Sequence, residues 1–268
     1  MEIKCISSLE NRYVKSFRLL LKKKYRLRYG KIVLEGFRLI EEALKAGLVP
    51  EIFFFEQDLW QREKLKSILR KLPPGTIKAS ITKEILYHLS ETETPQGVLA
   101  VAPFAVNSSL QVSSACNHFL LIIDRLQDPG NMGTIIRTAA AAGIKETVLT
   151  KGTIDPTNPK VVRSSMGAVF HLQFSMSADT ASLINKLKEK DIQLIASSPK
   201  ADLDYTIPDY RQPTAFVIGN ESKGVDPSIL KAATYKVKIP LLGPVESLNA
   251  ASAAAILIYE GVRQRHSL

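Results

Sequence analysis

Apolar positions along this chain alternate between two periods. Over residues 9–24 they recur at helical spacing (Val14, Phe17, Leu20, Leu21), over 31–34 they form a short β-branched run, and over 38–46 the helical spacing returns, closed by Gly47 at a helix C-terminus. The alternation goes on to predict a strand over 51–55, a helix over 59–72 stopped by Pro73-Pro74-Gly75, and a strand near 76–79. A short helix begun by Thr82 and a strand over 98–102 complete this first stretch. Residues 107–117 then lose the pattern: Asn107-Ser108-Ser109-Leu110-Gln111-Val112-Ser113-Ser114 is polar, small and aperiodic, and reads as a linker.

From His118 the alternation is more regular. Strands are expected over 119–123, 147–150, 171–174, 192–196, 215–218 and 235–239, and helices over 132–142 (stopped by Gly143), 181–190 and 248–263. Two further helices announce their starts, Asn158 before Pro159 and Asp226 before Pro227, each an N-cap followed by a proline whose missing N–H costs nothing at the first helical position. Near-continuous apolar strands alternating with helices mean a parallel sheet covered on both faces. The fold class is therefore α/β: a small α/β domain over 1–106, a linker over 107–117 and a larger parallel-sheet domain over 118–268.

Composition narrows the setting. With 268 residues, 45% of them hydrophobic, the chain can bury a full core, and no apolar run reaches the 18 residues that a membrane helix needs. Cys5 and Cys116 are too few for a disulfide framework, and Met1-Glu2-Ile3-Lys4-Cys5 has no apolar signal region behind a basic start, so a reducing, cytoplasmic location is expected. The net charge of +10 is uneven: residues 1–104 carry 19 Lys and Arg against 12 Asp and Glu, the rest 17 against 14. Arg12, Lys15, Arg18, Lys22, Lys23, Lys24, Arg26, Arg28 and Lys31 follow one another with no acid between Asn11 and Leu34. A solvated helix gains from alternating signs, so this unbroken run is read as a phosphate-binding face rather than as ordinary surface.

Candidate chemistry sits where strands end. Val217-Ile218-Gly219-Asn220-Glu221-Ser222-Lys223-Gly224 separates its glycines like a phosphate-binding loop, but Val225 stands where that loop needs its lysine. The first strand of the larger domain leads into Asp128-Pro129-Gly130-Asn131-Met132-Gly133 and not into a dinucleotide fingerprint. His88, His118, His171 and His266 do not cluster, so no metal site is expected. Asn131, six residues before Arg137, has the bland alternative of a helix N-cap; against that reading for the pair, the helix is otherwise small and apolar, so its arginine must reach a partner or an anion. Glu221 gains interest as a neighbour of Arg137 across one sheet edge. Ser247 and Asn249 straddle the start of the last helix, where both residue types also serve as caps.

Taken in order, Asn131-x5-Arg137, Ile218-Gly219-Asn220-Glu221-x2-Gly224 and Ile239-Pro240-x2-Gly243-x3-Ser247-Leu248-Asn249 before an Ala/Ser-rich helix resemble the three motifs of the SpoU (TrmH-like) branch of the SPOUT superfamily of RNA 2′-O-ribose methyltransferases. One departure is Ala250-Ala251-Ser252, where members often have a valine first. The first hundred residues resemble, more weakly, the L30e-like substrate-binding domain of ribosomal-RNA members. The resemblance implies a trefoil-knotted parallel sheet that binds S-adenosylmethionine, a homodimer with the closing helix in its interface, and 2′-O-ribose methylation of RNA, ribosomal RNA before transfer RNA. It implies backbone contacts to the cofactor at Gly219, Ile239 and Leu248, and a catalytic set of Asn131, Arg137, Glu221, Ser247 and Asn249 around the methyl group and ribose hydroxyl; Asn131 and Glu221 are expected to orient Arg137. Two other readings stay open: a non-catalytic RNA-binding or ribosome-associated protein that keeps the fold, and a nucleotide-linked enzyme acting on a small molecule.

Overall fold

The computed structural model describes residues 2–110, 112 and 119–266; Cys116, His118 and most of the 107–117 linker fall outside them. The chain forms two compact units: Met1–Ala105 with Thr157–Phe170, and Val106–Pro156 with His171–Leu268. Among the described residues no helix is long and apolar enough to cross a membrane.

The first unit runs β1 (Lys4–Ile6), α1 (Arg12–Leu20), α2 (Lys23–Tyr29), β2 (Lys31–Glu35), α3 (Phe37–Lys45), β3 (Ile52–Glu56), α4 (Glu63–Lys71), β4 (Ile77–Ile81), α5 (Lys83–Leu89) and β5 (Val98–Pro103). Its sheet has the order β1-β4-β3-β5-β2, with β5 antiparallel to both neighbours. Alternate strand residues such as Phe54, Ile81 and Val101 meet Val14, Phe17 and Leu20 of α1 in one core.

The helix expected over 9–24 ends at Leu20, and a second helix follows from Lys23 to Tyr29. Lys22 is extended (φ −90°, ψ 129°) between them, and the break has a partner that sequence alone hides. Arg26 is only 2% exposed, and its guanidinium Nη1 donates to the carbonyls of Leu20 (3.0 Å) and Leu21 (2.7 Å) at the end of α1, while Nε donates to Thr157 Oγ1 (3.1 Å). A helix end leaves orphan carbonyls, and a buried guanidinium with three acceptors satisfies both parties. Arg26 is thus a structural cation, a correction to its place in a phosphate-binding run. The run is also less free than its sequence implies, since Lys15 pairs with Glu10 and Lys31 with Glu51, acids just outside it or distant in sequence. Arg18, Lys22, Lys23, Lys24 and Arg28 remain exposed.

The second unit contains β6 (Val106–Asn107), β7 (Phe119–Ile123), α6 (Pro129–Ala141), β8 (Glu146–Thr150), β9 (Gln173–Ser177), α8 (Thr180–Glu189), β10 (Gln193–Ser197), β11 (Leu203–Asp204), β12 (Thr214–Ile218), α9 (Pro227–Ala232), β13 (Tyr235–Lys238) and α10 (Ala250–His266). Between β8 and β9 the chain enters the first unit as α7 (Pro159–Ser164), capped by Asn158 as its sequence announces. All pairings in the eight-stranded sheet are parallel, in the order β11-β13-β10-β12-β7-β8-β9-β6. The apolar strands are buried as that architecture demands: Ile122, Val148 and Val217 are fully covered, each worth about 1.5–3 kcal/mol against exposure. Leu110 and Val112, two apolar positions in the otherwise polar 107–117 stretch, pack against this core.

On the other face α10 lies along α6 and β12. Its small residues are used within the subunit: Ala251 and Ala254 are buried, and a Cβ on Gly261 would come 2.7 Å from the Phe119 ring and 2.9 Å from Phe216. Register aligns Ile123 with Ile218 and Ser197 with Val237, so the loops after β7, β10, β12 and β13 leave from one edge of the sheet. In a parallel α/β sheet that edge is where ligands bind.

Candidate functional site

A cavity of about 790 Å³ opens at this edge, entirely within the second unit. Gly219, Ile239 and Leu248, the three positions expected to meet a cofactor, all line it, together with Glu221 and Ser247. Apolar walls come from Ile218, Ile239, Leu241 and Leu248, and charged or polar groups from Lys200, Ser197 and Glu246.

The loop after β12 owes its shape to two glycines and an asparagine. Asn220 and Gly224 exchange backbone hydrogen bonds (3.1 and 2.9 Å), Gly224 turns at φ +68°, and Asn220 Oδ1 accepts from the amides of Ser222 (3.1 Å) and Lys223 (2.9 Å). The loop folds back so closely that a Cβ on Gly219 would overlap the backbone of Gly224 and Val225. Only glycine fits there without moving the cavity wall.

Glu221 reaches from this loop to the start of α6. Its carboxylate accepts from the amides of Asp128 (2.9 Å) and Gln127 (3.2 Å) and from Asn131 Nδ2 (3.3 Å). Burial alone would raise its pKa, but the amides of Asp128, Glu221 itself and Gln127, with the Asn131 side chain, prevail and hold the carboxyl below its ordinary range. A depressed carboxyl contributes its anchoring above the ordinary pKa of 4.5 and loses it only as pH falls through the lower folded value. At neutral pH Glu221 is therefore a fixed anion and a poor proton acceptor.

Asn131 is not the cap of α6. Asp128 caps that helix, accepting from the Asn131 amide at 2.7 Å, which leaves the Asn131 side chain free to bridge: it donates to Glu221 and accepts from Asn249 Nδ2 at 2.9 Å. Asn249 Oδ1 in turn accepts from the amides of Ala251 (2.8 Å) and Ser252 (3.3 Å), capping α10. A chain of hydrogen bonds, Glu221 to Asn131 to Asn249, thus ties all three motif loops together.

Arg137 is not part of that chain. It is exposed on α6, and among the described residues it has no hydrogen bond or ion pair. Six residues along an α-helix leave it about 120° around the axis and about 9 Å further along than Asn131. Within this subunit Asn131 and Glu221 hold each other, and Arg137 makes no hydrogen bond or ion pair to either. Ser247 is likewise exposed on the cavity rim.

Sequence reading missed Asp124 and Arg125, between β7 and α6. Asp124 is 2% exposed and ion-pairs with Arg125, whose guanidinium also lies 3.4 Å from Asp226. The available signal was a charged pair directly after five apolar residues, at the sheet edge where the glycine loop also ends.

Comparison with known proteins agrees with this geometry. The SpoU rRNA Methylase family model matches residues 118–259, and the MRM3-like substrate binding domain matches 11–100. The 23S rRNA (guanosine(2553)-2′-O)-methyltransferase RlmP of Bacillus subtilis is 34% identical over 258 residues, covering 96% of this chain and 98% of that protein. The human mitochondrial rRNA methyltransferase 3 is 32% identical over 296 residues, 90% of this chain and 69% of that protein. Among solved structures, the SpoU methyltransferase AviRb of Streptomyces viridochromogenes in complex with AdoMet aligns with a TM-score of 0.88 at 29% identity, covering 96% of this chain and 99% of that one. A parallel sheet with its loops gathered at one edge, a family match over more than half the chain and relatives aligned almost end to end lead to one conclusion: this chain belongs to the SpoU rRNA methylase family.

Proposed function

We propose that this protein transfers a methyl group from S-adenosylmethionine to a ribose 2′-oxygen of ribosomal RNA, as a homodimer. The observation that carries the reading is the gathering of Gly219, Glu221, Ile239, Ser247 and Leu248 around one cavity, tied to α6 through Asn131 and Asn249. The cavity suits that cofactor: about 790 Å³ accommodates a nucleoside with a short tail, aliphatic walls suit a flat base, and backbone of the 219–224 loop offers hydrogen-bonding groups at the edge. The bound cofactor supplies a sulfonium methyl open to attack by an oxygen.

The chain's own contribution is alignment first, since holding two reactants in line is worth about 7–11 kcal/mol. Glu221, Asn131 and Asn249 keep the three loops in register, and Ser247 orders the rim of the third. A guanidinium is suited to be a cationic clamp and not a general base. Exposed, and unpaired among the described residues, Arg137 is suited to clamp the phosphate of the target nucleotide and to stabilise charge developing on the ribose oxygen, with the proton leaving to a phosphate oxygen or to water. The exposed cations of α2 and its flanks supply the RNA-binding face of the first unit.

Incubation with radiolabelled S-adenosylmethionine and ribosomal RNA, followed by alkaline hydrolysis, tests this. A 2′-O-methyl protects its adjacent phosphodiester, so label should persist in alkali-resistant dinucleotides; label released as mononucleotides, or none incorporated, removes the assignment. Gly219→Val should abolish saturable cofactor binding in calorimetry, because its side chain would displace Gly224 and Val225 from the cavity wall. Wild-type affinity in that variant would put the cofactor elsewhere.

A further inference from the structure

Asp124 and Arg125 have no part in that reaction, yet both are bonded to the loop after β12 that forms one wall of the cavity. Asp124 Oδ1 accepts from Thr150 Oγ1 at 2.8 Å and its Oδ2 from the Asp226 amide at 2.8 Å, while the Arg125 guanidinium approaches both oxygens at 3.2–3.3 Å. A buried carboxylate persists only where donors replace its water, and one of these donors belongs to the far end of the loop after β12.

Arg125 grips the same loop twice. Its carbonyl accepts from Asn220 Nδ2 at 2.8 Å, and its guanidinium donates to the Gly224 carbonyl at 3.4 Å and lies 3.4 Å from the Asp226 carboxylate. To do so its backbone sits at φ 55°, a left-handed conformation unusual for a side chain of this size. The hydroxyls that hold it there are specific: its own N–H donates to Thr150 Oγ1 at 3.1 Å and to Thr153 Oγ1 at 2.9 Å. Such strain is kept where the surroundings over-determine it, and here the side-chain contacts and the Asn220 bond lead to the sheet edge and to the 220–226 loop.

We propose that Asp124 and Arg125 are positioning residues that latch the 219–226 loop in the form that accepts S-adenosylmethionine, so that cofactor affinity is set in part by groups outside the cavity. The inference rests on the assignment of the cavity to that cofactor. Arg125→Gly removes the latch without distorting the backbone. Glycine adopts φ 55° freely and keeps the carbonyl bond to Asn220, so the fold is relieved of strain while the guanidinium contacts to Asp124, Gly224 and Asp226 disappear. Calorimetric titration with S-adenosylmethionine, at a temperature where melting curves show both proteins folded, should give a dissociation constant raised roughly tenfold, the scale of one charge-assisted hydrogen bond; Asp124 loses its cation but keeps Thr150 Oγ1 and the Asp226 amide, so melting should fall by less than in Asp124→Asn. The loss should fall on the KM for the cofactor rather than on kcat, and Arg125→Lys, which keeps a cation, should recover part of it. Asp124→Asn leaves a buried group short of matched partners and should lose affinity and stability together, so the decision rests on Arg125→Gly. Wild-type affinity in that variant overturns the latch. Should the wild type itself not bind S-adenosylmethionine, the cofactor assignment fails and hydrogen exchange decides the latch: faster exchange at the Gly224 and Asp226 amides of Arg125→Gly retains it as a loop restraint, and unaltered exchange removes it.

Discussion

Arg137→Ala is expected to abolish methyl transfer while leaving cofactor affinity and thermal stability as they are. The three outcomes follow from one placement. Arg137 is exposed and bonded to nothing among the described residues, so its removal breaks no bond, and surface changes of that kind stay within about 0.5 kcal/mol of wild-type stability. It does not line the cavity, so the cofactor loses no partner. What remains is the role proposed for it at the RNA oxygen, and deleting a group that stabilises charge in the transition state costs roughly 10²–10³ in rate. Single-turnover assays with saturating RNA read the chemical step directly; a variant retaining more than about a tenth of wild-type turnover would remove Arg137 from the chemistry. Arg137→Lys should recover little, because a point charge lacks the planar fork that grips a phosphate through two parallel bonds.

The same residue shows why part of the site was legible in the sequence and part was not. Strands of a parallel sheet are buried on both faces, so they appear as apolar runs, and the loops that follow them contain the asparagines, glycines and prolines that turns and helix starts require. That made the strand ends readable, and Gly219, Ile239 and Leu248 do line one cavity. The relation of Asn131 to Arg137 depended instead on where α6 begins. Asp128 caps it and Pro129 opens it, three residues before the expected start, so Asn131 belongs to the first turn and points across to Asn249 and Glu221 while Arg137 faces another way. Asp124 escaped notice because a carboxylate after an apolar strand resembles any loop residue until its partners, 26 and 102 positions away, are brought beside it. The break between α1 and α2 was hidden for a similar reason: an arginine that caps a helix through its side chain carries no periodic mark.

The basic run divides into residues that hold the fold and residues exposed to solvent, and under the proposed function the two classes should fail in opposite ways. Arg26→Gln removes a cation buried between the Leu20 and Leu21 carbonyls and Thr157, leaving acceptors unsatisfied out of reach of water. Leaving a buried acceptor unsatisfied costs about 1–3 kcal/mol, so melting should fall by several degrees and RNA binding should be lost only with the fold. Replacing Lys22, Lys23, Lys24 and Arg28 by Gln touches exposed side chains and should leave melting nearly unchanged. Its effect belongs to binding. Each phosphate that is no longer neutralised lowers the slope of log K against log salt by roughly one unit, and four together weaken affinity at low salt by orders of magnitude. Salt titration of RNA binding in the quadruple variant, with calorimetry of the cofactor as control, reads the difference. An unaltered slope would make this face ordinary solvated surface, and phosphate recognition would then have to come from the second unit or from a partner subunit.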